Sequence, residues 1–171
     1  MASTTNVDGH FQKADFEASR ITECHGSIHH LQCLDGCTDE IWPVDGFHPV
    51  VEEKNCLLLN DLPLCPHCGD LARPNIYMFG AEEWLEDRAL AQRRRLEHWL
   101  RSAERLLIIE IGAGTAISAT RDLTHRIAFD FHAPVIRINP RDPAIYGNPS
   151  HVSLAMEGMQ ALQKIDTLLI A

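Results

Sequence analysis

Residues 106–116 read LLIIEIGAGTA, a near-continuous apolar run followed by two closely spaced glycines. Such a run is typical of a strand buried on both faces of a parallel sheet. Strand, Gly112-x-Gly114 and helix have the form of a nucleotide-binding loop, because glycines let the backbone approach a ribose or phosphate. However, Ile117 stands at the third glycine of the dinucleotide fingerprint, and Asn139 at its acidic residue. The stretch predicts nucleotide contact and leaves open an S-adenosylmethionine loop or a ligand-free turn.

The rest of the chain around this stretch alternates between helical and strand patterns. The predicted elements are a helix over 82–103, a buried strand over 106–111, a helix over 116–131, a strand over 134–138 (PVIRI), a helix over 153–165 and a closing strand over 167–170 (TLLI). Strands that alternate with helices form parallel sheets through right-handed crossovers. We therefore expect an α/β fold with a partial Rossmann-like parallel sheet.

The composition narrows the class of protein. The chain has 171 residues, 45% of them hydrophobic, and a net charge of -9. This acidic balance argues against a duplex-binding surface, which would be basic. No apolar run reaches the length of a membrane span, and the N-terminus has no signal-peptide pattern. We expect a cytoplasmic protein without nucleic-acid or membrane partners.

Four of the six cysteines form two close pairs, Cys33 with Cys37 and Cys65 with Cys68. A CxxC knuckle and a second nearby pair supply the four thiolates of a closed, structural zinc site. Residues 31–74, which hold both pairs, are rich in Gly, Pro, Asp and Asn, and such a stretch needs a staple to fold. We therefore predict an inserted zinc-binding module, with free core cysteines or a redox dithiol as alternatives.

The remaining thiols and nearby imidazoles are secondary candidates. His48, Cys56 and His67 are alternative ligands for the same metal. Cys24 and Cys56 are otherwise expected to be ordinary buried thiols.

Further short segments complete a recognisable order. They are Asn6-Val7-Asp8, His25-Gly26-Ser27, Arg73-Pro74-Asn75 and Phe79-Gly80, with the cysteine pairs between them and Asn139 after the second buried strand. In this order the chain resembles the sirtuins, the NAD-dependent protein deacylases, from residue 4 to the C-terminus. The resemblance is to the C-terminal part of the sirtuin catalytic domain. It implies a transferase that uses NAD and zinc and acts on an acyl-lysine protein or peptide.

The resemblance also implies roles for particular residues. His25 is similar to the general base that activates a ribose hydroxyl after nicotinamide leaves, a task that suits imidazole because its pKa lies near neutrality. Asn6 and Asp8 would line the pocket of nicotinamide and its ribose. Phe79 and Gly80 would form the loop against which the acyl-lysine peptide adds as a strand. The adenosine end of NAD would be contacted by Gly112, Ala113, Gly114, Thr115 and Asn139.

Three departures from the sirtuin pattern shape the functional expectation. The family's N-terminal strand and its glycine-rich loop for the NAD pyrophosphate are lacking, so NAD binding is expected to be weak and the chain to be a truncated form. Ala113-Gly114 replaces a Thr-Ser pair, which removes two hydroxyls. The strand over 106–111 would lack a neighbour, so we expect that a second copy or a partner chain covers its open edge, that a local segment covers it, or that the chain is truncated.

We predict three segments: residues 1–30 with the strand end and the His25 loop, residues 31–74 as the zinc module, and residues 75–171 as the C-terminal part of the NAD-binding domain. The function expected is protein-lysine deacylation or ADP-ribose transfer. The alternatives are a non-catalytic zinc-binding interaction module and, on the evidence of EIGAG at 110–114, a methyltransferase.

Overall fold

The computed structural model describes residues 1–78, 80 and 83–170. The chain divides into two compact units, Met1–Ser102 and Ala103–Ala171. The first unit contains β1 (Ala2–Thr4), α1 (His10–Lys13), a 3-10 turn (Ala18–Arg20), β2 (Ile21–Glu23), β3 (Gly26–Cys33), β4 (Trp42–Pro43), β5 (Val51–Glu52), β6 (Leu57–Leu58), β7 (Ala72–Ile76) and α2 (Asp87–Ser102). The second unit contains β8 (Ile108–Ile111), α3 (Ala119–Asp130), β9 (Val135–Ile138), β10 (Val152–Leu154) and α4 (Gly158–Ile170).

In the first unit, β1 and β2 form a parallel pair, with Ala2 opposite Ile21 and Thr4 opposite Glu23. Helix α2 packs on β2, and apolar side chains from both elements form a small core. The buried apolar residues of this core are Ile21, Ala89, Leu96 and Leu100. Because the strands are parallel and in register, both end at the same edge, and the polar segments that follow them begin side by side.

An antiparallel sheet, in the order β4-β3-β7, carries the rest of the first unit. Gly26 opens β3 at φ +83, and a Cβ there would lie 2.0 Å from the carbonyl oxygen of Asn75 on β7. Only glycine fits such a close approach. The buried Asn75 amide donates to Gln32 Oε1 and to the Leu85 carbonyl, so a polar cluster fixes the pairing of β3 with β7.

The second unit has a parallel sheet in the order β10-β9-β8. The middle strand, β9, is fully buried at Val135 and Ile138. The two buried charges of the sheet, Glu110 on β8 and Arg137 on β9, form an ion pair in which Nη2 of Arg137 lies 3.2 Å from Oε2 of Glu110. The α/β fold class with parallel strands is therefore confirmed.

The C-terminal elements differ from the prediction. The strand predicted over 167–170 is wrong, because α4 continues to Ile170 and leaves Leu168 and Leu169 about 80% exposed. The helix predicted over 153–165 begins only at Gly158, and residues 152–154 form strand β10 beside β9. A short apolar run has no period that separates a strand from a helix, so pairing with β9 decided the assignment.

Strand β8 is also less buried than predicted. Ile109 is 43% and Ile111 46% exposed, whereas a strand covered on both faces was expected. Within the described ranges, β8 pairs with β9 along one edge, and no strand pairs with the other edge of β8. In the described residues, no helix is both long and apolar enough to cross a membrane.

Candidate functional site

The two cysteine pairs converge on one point. The four Sγ atoms of Cys33, Cys37, Cys65 and Cys68 all lie within 4.8 Å of one another. The Sγ atoms of Cys33 and Cys68 are 3.8 Å apart, and those of Cys37 and Cys65 are 3.6 Å apart. Thiolates about 2.3 Å from a tetrahedral zinc ion lie about 3.8 Å from each other. The cluster therefore has the donor set and the spacing of a closed zinc site.

The backbone around the cluster explains why the pairs meet. Cys33 ends β3 and pairs with Ala72 at the start of β7. In the knuckle, the Cys65 N–H donates to the Asp70 carbonyl at 2.7 Å, and the Gly69 N–H donates to the Cys65 carbonyl at 2.9 Å. Gly69 adopts φ +80, which the turn requires. The β3–β7 sheet thus brings together cysteines that are distant in sequence.

The electrostatics of the cluster favour a thiolate at Cys33. A hydrogen bond from the backbone of Cys37 lowers the pKa of the Cys33 thiol to about 7. Thiolates, rather than thiols, are the ligands of zinc. Hydrogen bonds with the sulfurs of Cys68 and Cys33 raise the pKa of Cys37, so the metal-free cluster retains protons that a bound cation would displace.

The secondary candidates lie outside this cluster. The Nε2 atom of His67 is 2.7 Å from Oε2 of Glu40, and the Cys56 thiol donates to the Glu53 carbonyl at 3.7 Å. Cys56 is exposed, so the prediction of a buried thiol is wrong there. Cys24 is half-buried, with its sulfur 3.3 Å from Oγ of Ser3. Among the described residues, the four-cysteine group is the one cluster with metal-binding geometry.

His25 stands at the end of the parallel pair. It follows β2, where the Cys24 N–H donates to the Thr4 carbonyl at 2.9 Å and so ties the ends of β1 and β2 together. The His25 carbonyl accepts from the Tyr77 N–H at 2.9 Å, and the two rings lie with centroids 5.9 Å apart. Tyr77 also packs on Trp84, at 5.3 Å. The imidazole is half-buried, beside an aromatic wall that the sequence pattern did not indicate.

The segment that carries Asn6 and Asp8 follows β1 at the same edge. Strand β3 pins it, since Ile28 N–H donates to the Val7 carbonyl at 2.9 Å and His29 Nε2 donates to the Asp8 carbonyl at 3.1 Å. Asn6 is exposed, and the Asp8 carboxylate accepts from the His10 N–H at 3.1 Å. The loop with Asn6 and Asp8 and the turn with His25 are therefore neighbours at one sheet edge.

The glycine loop of the second unit follows β8. Gly112 adopts φ +69, and its N–H donates to the Ile138 carbonyl at 3.0 Å. Gly114 and Thr115 are exposed at this loop, whereas Ala113 is buried. Asn139 follows β9 and is only 6% exposed, with its side-chain amide donating to the Ala113 carbonyl at 2.9 Å.

Of the loop predicted to receive a peptide, Gly80 lies within the described part of the chain. Gly80 is exposed and adopts φ +75. Phe79 lies outside the described residues. A residue that the sequence reasoning missed is Arg121 on α3, which binds the Ala113 carbonyl through two nitrogens. Its only sequence signal is an arginine in a helix that follows a glycine loop.

The fold and the cluster define an α/β protein with an inserted four-cysteine module. The model of the Sir2 family matches residues 1–117. The chain therefore belongs to the Sir2 family.

Two curated relatives show how much of such proteins this chain spans. An NAD-dependent protein deacylase of Thermus thermophilus is 29% identical over 162 residues, which are 93% of this chain and 54% of the relative. NAD-dependent protein deacylase 2 of Corynebacterium efficiens is 25% identical over 162 residues, 94% of this chain and 58% of the relative. The chain thus spans about half the length of these curated relatives.

Solved structures share the fold. One described as "Sir2-p53 peptide-NAD+" superposes with a TM-score of 0.64 at 21% identity, over 99% of this chain and 63% of the other. Another, "The Structural basis of Sirtuin Substrate Affinity", gives a TM-score of 0.63 at 21% identity, over 95% of this chain and 59% of the other.

Proposed function

We propose that this chain carries out NAD-dependent protein-lysine deacylation. The observation that carries the proposal is the shared edge of β1 and β2, where the loop of Asn6 and Asp8 and the turn of His25 begin side by side. Ligands of α/β proteins bind beyond the carboxyl ends of parallel strands. The names of the curated relatives support the same activity, and they favour it over a methyltransferase.

In this proposal each site residue has the role that the resemblance to the sirtuins implies. When bound, NAD would supply the ribose carbon that bonds to the acyl oxygen as nicotinamide leaves, and the acyl group would pass from lysine to the ribose. His25 takes a proton from a ribose hydroxyl, and Asn6 and Asp8 orient the nicotinamide end. Gly112 to Thr115 and Asn139 serve the adenosine end, in a dinucleotide-binding second unit of Rossmann type. The loop of Phe79 and Gly80 receives the acyl-lysine peptide.

The four cysteines hold zinc in this proposal. The ion would be structural, because four thiolates fill a tetrahedral coordination sphere and leave no position for a substrate. The three predicted segments, with boundaries at 30/31 and 74/75, remain part of the proposal. A cytoplasmic location also belongs to it, and is supported by the arrangement of the cysteines as ligands instead of disulfides.

The deciding experiment follows nicotinamide release and loss of the acetyl group by mass spectrometry, on the zinc-loaded chain with NAD and an acetyl-lysine peptide. We expect weak but measurable activity in the wild type, since NAD binding is expected to be weak, and a further loss of at least about a hundredfold in His25→Ala, since general-base catalysis contributes about that much or more. His98→Ala is the matched control, because His98 is exposed on α2. Wild-type chain that releases no nicotinamide, or His25→Ala that matches the wild type, contradicts the proposal. NAD consumption without deacylation would indicate ADP-ribose transfer.

A second function, as a protein-interaction module, has an observation of its own. Leu107, just before β8, and Ile109 and Ile111 on β8 are each more than 40% exposed, and the outer edge of β8 is free within the described residues. We propose that a second copy or a partner chain covers this edge. Light scattering of the chain should give a dimer mass, and Ile109→Lys should give a monomer. A monomeric wild type that retains no partner in pull-down experiments contradicts this interaction role.

A further inference from the structure

The carbonyl oxygen of Ala113 accepts hydrogen bonds from three side-chain nitrogens. It accepts from Arg121 Nε at 3.1 Å, from a terminal nitrogen of Arg121 at 2.9 Å and from Asn139 Nδ2 at 2.9 Å. Ala113 itself is only 7% exposed. The orientation of the peptide group between Ala113 and Gly114 is therefore fixed, with its oxygen turned into the protein.

A fixed carbonyl also fixes the amide that follows it. In a trans peptide the C=O and the next N–H point in opposite directions, so the Gly114 N–H is turned away from the protein. Gly114 is exposed, and a methyl group added there would meet no atom within 4 Å. In the part of the chain that the structure describes, no oxygen accepts a hydrogen bond from Gly114 N–H. An oriented backbone donor at an exposed loop position thus has no acceptor within the described part of the chain.

Arg121 also ties this loop to its neighbour. The same terminal nitrogen donates to the Asp142 carbonyl at 2.7 Å. Asn139 Oδ1 in turn accepts the N–H groups of Arg141 and Asp142, each at 2.9 Å. The two loops follow β8 and β9, so the arginine joins them at the carboxyl edge of the parallel sheet, where α/β proteins bind ligands.

We propose that Arg121 is a positioning residue, which turns the peptide after Ala113 so that Gly114 N–H donates to an oxygen of the adenosine half of NAD. The oxygen is a ribose hydroxyl or a phosphate oxygen, and both accept such a bond. Neither Ala113 nor Gly114 has a side-chain donor, so the oriented amide takes the place of the side-chain hydroxyls that positions 113 and 114 lack. The inference rests on the proposed function, because it names how the same site holds its cofactor.

The test uses the full chain labelled with ¹⁵N, titrated with ADP-ribose and followed by NMR and calorimetry. In the wild type we expect ADP-ribose to shift the Gly114 amide resonance. In Arg121→Ala that response should vanish and Kd should rise about tenfold, the equivalent of one good hydrogen bond. Arg126→Ala is the matched control, since Arg126 is exposed on the same helix, and it should retain both the response and the Kd.

The conservative variant covers the case in which Arg121→Ala does not fold, as judged by circular dichroism. Arg121→Lys replaces the planar guanidinium, which can donate through several nitrogens, with a single ammonium group. If Arg121→Ala folds, the Kd of Arg121→Lys should lie between those of the wild type and Arg121→Ala. If Arg121→Ala does not fold, the Kd of Arg121→Lys should still exceed that of the wild type. The inference is overturned if folded Arg121 variants keep the wild-type Kd and Gly114 response, or if ADP-ribose leaves Gly114 of the wild type unshifted.

Failure here and failure of the proposed function have different signatures. If the wild type deacylates peptide but ADP-ribose does not shift its Gly114 amide resonance, only the role of Arg121 is refuted. A wild type in which Gly114 responds, without nicotinamide release in the peptide assay, refutes the deacylase and leaves the nucleotide contact standing.

Discussion

The backbone next to His25 has no room for a side chain at Gly26. Its φ of +83 disfavours any side chain, and the Asn75 carbonyl occupies the place of a Cβ. The neighbouring loop is also crowded, since a Cβ on Gly9 would lie 2.6 Å from the His29 ring. The residues proposed for the nicotinamide end and for the catalytic base thus lie beside two positions, Gly9 and Gly26, that have no room for a side chain.

Gly26→Ala should destabilise the protein by about 3 kcal/mol or more, because a backbone clash adds to the strain at positive φ. Gly36→Ala is the matched comparison, since Gly36 adopts φ +66 but a Cβ there meets nothing within 4 Å. It should cost about 1 kcal/mol. Urea denaturation of both variants measures the difference, and equal costs would contradict a close approach at Gly26.

At the scale of elements, β2 is joined to α2 by a buried polar cluster. Glu23 is 1% exposed, and its carboxylate pairs with the guanidinium of Arg88 on α2. Its backbone N–H donates to Gln92 Oε1 at 2.8 Å. Burial opposes ionisation of the carboxyl, but the hydrogen bond and charge of Arg88 outweigh it and lower the pKa of Glu23.

The lowered pKa gives Glu23 a defined pH dependence. A carboxyl whose folded pKa is below its unfolded value of about 4.3 adds stability above that pH, and the addition is lost as the pH falls through the folded pKa. Glu23→Gln should therefore cost about 3 kcal/mol at neutral pH, as expected for breaking a buried pair. The difference from the wild type should shrink as the pH falls below about 4.

Chemical denaturation across this pH range measures the effect. Glu97→Gln supplies the control, because Glu97 makes an exposed pair with Arg101 at 3.9 Å on the same helix. Exposed pairs contribute at most about 1 kcal/mol. A cost of Glu23→Gln that is the same at every pH would show that the carboxylate charge does not stabilise β2.

At the scale of the whole molecule, the four-cysteine cluster closes a long, loosely structured segment. The hairpin of β5 and β6 between the two pairs has only two residues in each strand. Val51 and Leu57 on it are more than half exposed. With so little apolar burial, metal ligation is expected to supply the stability of this segment.

We expect one zinc ion per chain by elemental analysis, and a chelator should lower the thermal unfolding temperature. Cys33→Ser should reduce zinc to well below one per chain, because three thiolates leave the tetrahedral sphere incomplete. Cys56→Ser should keep full zinc, since Cys56 is an exposed thiol outside the cluster. Unchanged unfolding after quantitative zinc removal would contradict a structural role for the metal.

The sequence alone determined the α/β class, the four cysteines and the order of segments that marks the family. These features are local: cysteine spacing, glycine loops and apolar periodicity are visible in a few neighbouring residues. Even the loop after β8 was placed correctly, because its glycines interrupt an apolar strand.

Tertiary structure decided what those local patterns leave open. Residues 167–170 became helix and residues 152–154 became strand, because pairing with β9 outweighs a short apolar run that has no clear period. The positions of Arg121, His29 and Tyr77 near the proposed sites depend on hydrogen bonds and ring contacts with residues distant in sequence. Such contacts depend on which elements pack together, and residue spacing along the chain does not predict them.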